Sequence, residues 1–247
     1  MRYLHRPNDR LREIKITMGY QRHPHGSCLI EWGHTKVICA ATVEDNVPRF
    51  LKNTGTGWVS AEYSLLPTST NQRTQREAKR GKQTGRTEEI QRLIGRSIRS
   101  VVDMKALGER TLLIDCDVIE ADGGTRVASV TGAFLAMVEA AETFYQKGKV
   151  FPVRDFLAAV SVGISDKNEA ILDLSYEEDS SAMVDMNVVM TGSGKFVEIQ
   201  GTGEGRAFTG EEHRELLNLA EKGIKEIIEL QKYALGNELS FRVGRVG

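Results

Sequence analysis

The chain has 247 residues, 40% of them hydrophobic and 27% charged, with a net charge of −1. That is ordinary globular material, able to bury a full core in one or two packed domains. No apolar run approaches the ~20 residues of a membrane span, and residues 1–6 lack a signal peptide's apolar stretch, so a cytoplasmic protein with no membrane partner is expected.

From residue 11 to 43 the sequence alternates and turns as strands do. Runs at 13–17 and 27–32, a turn at Gly33-His34 and a run at 35–43 predict an antiparallel meander. A further strand is expected at 57–66. The polar, basic stretch 67–85 has almost nothing to bury, and it is expected to stay loose until an anion or a neighbouring subunit orders it. Helical periodicity begins after Gly85-Arg86. Ile90, Ile94, Val101 and Val102 mark its inner side, while Arg92, Arg96 and Arg99, at i, i+4 and i+7, mark an outward ridge.

Residues 72–99 carry nine cations (Arg73, Arg76, Lys79, Arg80, Lys82, Arg86, Arg92, Arg96 and Arg99) against Glu77, Glu88 and Glu89, a local net charge of +6. Most charge runs are solvated faces. This one is single-signed and rich in Arg, the side chain that grips phosphate with two parallel hydrogen bonds, and it points to a polyanion.

Next come a strand at 111–121, a turn at Asp122-Gly123-Gly124, and a helix over 126–147 whose Val130, Phe134, Met137, Val138, Ala141 and Phe144 share one face. Strands follow at 156–164, 170–174, 183–190 and 196–200, then an amphipathic helix at 210–233. Residues 237–247 show no partner and read as a loose tail. The plan is an α+β duplication of sheet-then-helix halves, residues 1–150 and 151–236, with helices packed on mixed sheets. Cys28, Cys39 and Cys116 form no Cys-x-x-Cys pair and read as buried thiols, and His5, His23, His25, His34 and His213 lack ligand spacing. A disulfide framework, a zinc knuckle and a zinc hydrolase therefore have no support.

Two constellations bear on chemistry. Asp122-Gly123-Gly124-Thr125-Arg126 stands where a strand hands over to a helix. It reads either as an anion site of free backbone N–H groups or as a plain glycine turn with Thr125 as helix cap. In the strand after Met183, alternation puts Asp185 and Asn187 on one face, and Asp179, in a short turn leading in, is placed to swing towards it. Isolated acids on a strand are usually solvated. Beside a bound phosphate, each close carboxylate would cost ~4 kcal/mol of repulsion at an effective dielectric of ~20, so such a pair would need a bridging Mg²⁺ or one protonated carboxyl. Gly201-Thr202-Gly203-Glu204-Gly205 misses the dinucleotide spacing, and Gly192-Ser193-Gly194-Lys195 lacks the P-loop pattern and reads as a hairpin turn.

The chain closely resembles the bacterial ribonuclease PH family from about residue 11 to 235. The resemblance is carried by Gly57-Trp58-Val59-Ser60-Ala61-Glu62-Tyr63, by Gly85-Arg86-Thr87-Glu88-Glu89-Ile90-Gln91-Arg92-Leu93-Ile94-Gly95-Arg96, by residues 121–126, and by Glu178-Asp179-Ser180-Ser181 with Asp185-Met186-Asn187. It implies the ribonuclease PH fold and a phosphate-dependent 3′→5′ exoribonuclease that trims precursor tRNA, releases nucleoside 5′-diphosphates and runs backwards as a nucleotidyltransferase. Residue by residue, it implies phosphate binding at Arg86, Gly124, Thr125 and Arg126. Asp179 and Asp185 match the acids assigned to catalysis and to Mg²⁺ or Mn²⁺, with inorganic phosphate as co-substrate. Arg73, Arg76, Arg92, Arg96 and Arg99 resemble residues of RNA contact or subunit interface in a homohexameric trimer of dimers. Thr68 departs from the pattern, standing where relatives often carry Arg. A silent RNA-binding ring subunit would be expected to lose Arg86, Arg126 or one of the acids, yet all are present.

Overall fold

Alternating burial drives β1 (Ile14–Met18), β2 (Gly26–Trp32) and β3 (Thr35–Glu44) into the expected antiparallel meander, with Ile30, Trp32, Val37 and Cys39 turned to the core. The structure is a computed structural model and describes residues 2, 6–146 and 148–245. His5 and Lys147 lie outside the described residues, as do Val246 and Gly247. β4 (Trp58–Leu65) leaves the meander. The chain passes through the short α1 (Glu77–Arg80), α2 (Gly85–Val101) and the short α3 (Met104–Leu107), then returns as β5 (Thr111–Glu120). β5 inserts between β3 and β4, antiparallel to the first and parallel to the second, giving a mixed sheet of order β1-β2-β3-β5-β4. A parallel pair needs a crossover, and α2 supplies it.

α4 (Thr125–Glu142) is apolar on nearly all sides because it is covered on nearly all sides. It packs on β2, β3 and β5 of the first sheet and on β6 (Leu157–Ile164) of the second. The second sheet runs β7-β6-β8-β9, antiparallel throughout, with β7 at Ala170–Leu172, β8 at Val184–Thr191 and β9 at Phe196–Gly203. α5 (Tyr176–Ser181) bridges β7 to β8, and α6 (Gly210–Arg242) packs across β6, β7 and β1. Cys28, Cys39 and Cys116 are register partners on three adjacent strands, buried under α4 and unbridged. Among the described residues no helix is long and apolar enough to cross a membrane.

Four expectations change. The helix expected to reach residue 147 ends at Glu142. Asp179 lies on α5 rather than in a turn. The expected loose tail is helical through Arg242 beyond a kink at Gly236 (φ 71°); Arg242 pairs with Glu142 and Glu238 and lies over the Tyr145 ring, and Leu239 and Val243 pack on the core. Arg99 leaves the outward ridge: its Nη1 donates to the Val59 carbonyl at 2.9 Å and its guanidinium stacks 5.0 Å over Trp58, because α2 lies close on β4.

Besides the shared core, a buried carboxylate ties the N-terminal segment to the chain after β7. Asp173, fully buried at φ 59°, accepts from Arg12 N (2.6 Å), Arg12 Nη2 (2.7 Å), Arg6 Nη1 (2.9 Å) and Trp32 Nε1 (3.0 Å). Burial alone pushes this carboxyl's pKa upward. The Arg12 charge and hydrogen bonds, with Arg6, outweigh that and hold it below the ordinary range. Its contribution to stability is therefore present above the unfolded carboxylate range and lost as pH falls through the lower folded value. Asp173→Asn leaves buried guanidinium groups unpaired and is expected to cost about 3–5 kcal/mol in urea unfolding at pH 7; the variant's stability should also fall less than wild type's on acidification.

Candidate active site

β5 stops at Glu120, and four residues turn the chain into α4. Gly123 and Gly124 both take positive φ (75° and 70°), where a side chain is strained. Gly123 is further constrained, since a Cβ there would lie 2.6 Å from Ser175 C and 2.7 Å from Leu174 O. Glycine is what lets this loop lie directly against the start of α5. Gly124 is the N-cap of α4 with no side-chain cap, and the first turn of α4 carries no acid, so its N–H groups and positive dipole end are left for an external anion. Thr125 Oγ1 lies 2.9 Å from Tyr63 Oη. Burial pushes the Tyr63 phenol upward, so a neutral hydroxyl pair, in which either oxygen can donate, sits at the start of α4.

The acids come from the second half. On β8, Val184, Met186 and Val188 face the core, which turns Asp185 and Asn187 to the other face. Asp179 is set by α5, which starts with a capping box: Ser175 Oγ accepts from Glu178 N, and the Glu178 carboxylate accepts from Ser175 N. Arg2 and Arg6 bind the Glu178 carboxylate in turn.

A cavity of about 270 Å³ brings together Arg86, Gly124, Thr125, Arg126, Asp179 and Asp185, and adds Ser161, Ser180, Asn187 and Glu204. Larger clefts exist, including one of about 590 Å³ whose lining includes Glu62, Asp115 and Asp117, but Arg86, Gly124, Thr125 and Arg126 do not line it. Burial pushes Asp185 upward, and the charges of Asp179 and Glu204 add to the shift. Asp179 stands at the exposed mouth. Partial desolvation by the surrounding protein still raises its pKa, while Arg86 and Arg126 pull it down. Asp185 Oδ1 is buried with no hydrogen-bond partner among the described residues.

The other arginines lie outside this cavity. Arg73 and Arg76 are exposed on the basic stretch with no ion pair among the described residues, and Arg92 is exposed on α2 in the same state. Arg96 pairs with Glu198 of β9, and Arg99 is turned to Val59 and Trp58. Sequence reasoning missed Glu204 as a site residue. Its signal was the strand register: Asp185 pairs with Thr202, so the residues just beyond β9 close over that acid. It also missed Glu89 and Gln200, whose oxygens accept from Arg126 Nη1 at 3.1 and 2.7 Å. Among the described residues no group of three or more His, Cys, Asp or Glu is placed to hold a metal.

Comparison with known proteins gives the family and the fold. Two models of the 3′ exoribonuclease family match, domain 1 over residues 10–141 and domain 2 over residues 155–223. The chain is 60% identical to the ribonuclease PH of Bacillus subtilis (strain 168), covering 97% of this chain and 98% of that protein. It is 57% identical to that of Listeria innocua, covering 98% and 99%. Among solved structures, rice Rrp46 superposes with a TM-score of 0.78 at 16% identity, covering 95% and 100% of the two chains. The Archaeoglobus fulgidus exosome with RNA bound to the active site gives 0.79 at 22%, covering 94% and 92%. At those identities the likeness establishes the fold.

Because the folded protein holds the Asp185 proton more tightly than the unfolded chain does, stability declines as pH rises through the window between the two pKa values. Asp185→Asn removes the charged form, so it is expected to melt above wild type at pH 7 to 8, with the gap closing towards pH 4. Melting curves across that range check it.

Proposed function

The chain belongs to the ribonuclease PH family of 3′ exoribonucleases, which act with orthophosphate on RNA 3′ ends, and from that premise we propose that the loop-to-helix cavity is where orthophosphate attacks the last internucleotide linkage. The observation that carries this reading is the meeting, in one cavity, of an uncapped helix start and two arginines with a pair of acids from the other half of the chain.

The work of such a site is chiefly to hold two anions together and to neutralise the charge that gathers between them. Arg86, Arg126, the Thr125 hydroxyl and the N–H groups at the start of α4 receive orthophosphate. One phosphate oxygen forms a bond to the terminal phosphorus in line with the bond that breaks, the one to the 3′ oxygen of the penultimate nucleotide. Asp185, whose pKa is raised by burial and by the charges of Asp179 and Glu204, gives a proton to that leaving oxygen and regains one from the attacking hydrogen phosphate. The products are a shortened RNA with a free 3′ hydroxyl and a nucleoside 5′-diphosphate. The same steps reversed extend an RNA from a diphosphate, which is the nucleotidyltransferase direction.

For Mg²⁺ or Mn²⁺ the donor set fits a cation held by one or two carboxylates plus substrate oxygens rather than a protein cage. Asp179 and, once it has given up its proton, Asp185 with its unpartnered buried Oδ1 would hold it. When bound, the ion would supply charge neutralisation at the phosphoryl oxygens.

The substrate we assign is the 3′ extension of precursor tRNA. Arg73, Arg76 and Arg92, exposed and without ion pairs among the described residues, suit contact with the RNA body or a neighbouring subunit, and phosphate contacts of that kind weaken steeply with salt. Arg96 and Arg99 are spent on contacts within the subunit. A homohexameric ring, a trimer of dimers, is supported by the exposed edge strand β9 and the uncovered basic stretch. A cytoplasmic setting suits the three reduced thiols.

Incubation with a 3′-extended tRNA is expected to release nucleoside diphosphates only when orthophosphate is added; monophosphates released without it would mean hydrolysis instead. Asp185→Asn should cut turnover by about 10²–10⁴ with the fold retained, and a loss under about threefold would remove that acid from the mechanism. Arg126→Ala should raise the phosphate concentration needed for half-maximal rate, which phosphate titrations measure directly.

A further inference from the structure

One end of the Arg126 guanidinium is already engaged. Its Nη1 donates to Glu89 Oε1 at 3.1 Å and to Gln200 Oε1 at 2.7 Å, which uses both Nη1 hydrogens, and Gln200 Nε2 donates to the same Glu89 oxygen at 2.9 Å. The three residues close a triangle drawn from three elements: Glu89 on α2, Gln200 on β9 and Arg126 in the first turn of α4. The Nε and Nη2 hydrogens have no hydrogen-bond partner among the described residues. These are the two donors on one edge of the guanidinium, the edge that meets two oxygens of one phosphate in parallel.

The surroundings make such an anchor necessary. Arg126 lines the same cavity as Asp179, Asp185 and Glu204, and a long, flexible guanidinium there will pair with whichever carboxylate it reaches. An ion pair with Asp179 or Asp185 would occupy both a phosphate ligand and a catalytic acid. Glu89 stands three residues after Arg86, so one turn of α2 carries Arg86 into the cavity and Glu89 to the back of Arg126.

We propose that Glu89 and Gln200 are positioning residues for the phosphorolytic step, holding Arg126 by Nη1 so that its Nε–Nη2 edge stays clear of the cavity acids and open to orthophosphate. The inference rests on reading Arg126 as a phosphate ligand.

Steady-state phosphate titrations with saturating RNA test it. Glu89→Ala is expected to raise KM for phosphate by about five- to twentyfold with kcat within about threefold, and Gln200→Ala to raise it by about two- to fivefold. Glu89→Gln, which keeps an accepting oxygen but drops the charge, should restore KM to near wild type. If Glu89 served only as a negative charge near the site, both Glu89→Ala and Glu89→Gln would lower KM for phosphate, and that result overturns the proposal. So does an unchanged KM in both alanine variants. Should Glu89→Ala fail to fold, the exposed Gln200→Ala decides alone. Arg126→Ala run alongside separates the failures: an unchanged phosphate dependence there refutes the site reading itself, whereas a raised KM there with normal alanine variants at 89 and 200 refutes only the positioning role.

Discussion

Asp173 ties the N-terminal segment and β2 to the stretch of chain that leads into α5. It is a non-glycine residue in left-handed backbone, fully buried, with every donor around it coming from the N-terminal segment or β2. Arg12, gripped by that carboxylate, also donates to the carbonyls of Asp122 and Gly123 at 2.5 and 3.4 Å. Directly after Asp173, Leu174 and Ser175 lead into the helix that carries Asp179 and make the close approach to Gly123. One ion network thus touches both the loop that opens α4 and the segment that presents an acid. Such buried pairs contribute little net stability compared with an apolar core, and their best-attested service is to fix a register. Here the register is that of the N-terminal half against the C-terminal half.

With that geometry fixed, the electrostatics of the cavity follow. Three acids share it with two arginines and an uncapped helix start. Without the cations the acids would repel an incoming phosphate, and without the acids there would be no group to meet the leaving oxygen. Burial and mutual repulsion bias Asp185 towards its protonated form, so the acid beside the bound anion is the one least opposed to it. Tyr63, behind Thr125, and Glu89 with Gln200, behind Arg126, hold the donors in place before substrate arrives. Donors fixed in advance have less reorganisation to undergo when charge develops.

Much of this was legible in the residues. The meander of β1 to β3 follows from periodicity, and the alternation of β8 correctly puts Asp185 and Asn187 on one face, whereas α4, expected to bury one face, is covered on nearly all sides because both sheets pack on it. What stayed hidden has identifiable causes. The parallel pairing of β4 with β5 depends on a crossover that leaves no local signal. Arg99 looks outward on a helical wheel, but α2 lies so close on β4 that a guanidinium over Trp58 is the better-packed arrangement. Gly236 breaks the helical pattern, which made residues 237–242 read as a tail, although Arg242 and Leu239 anchor them. The Ser175-x-x-Glu178 capping box was present as a helix-start signal for α5 and went unused. Glu204, Glu89 and Gln200 reach the site only through register and tertiary packing, which no single stretch of sequence displays.

The central claim is that orthophosphate held in this cavity is itself the nucleophile, and an isotope experiment tests it most directly. Turnover in ¹⁸O-labelled orthophosphate should yield a nucleoside diphosphate in which the β-phosphoryl group and the bridging oxygen carry the label, with the α-phosphorus otherwise unlabelled. Label absent from the product, or an α-phosphorus that has gained an oxygen from water, would contradict the account.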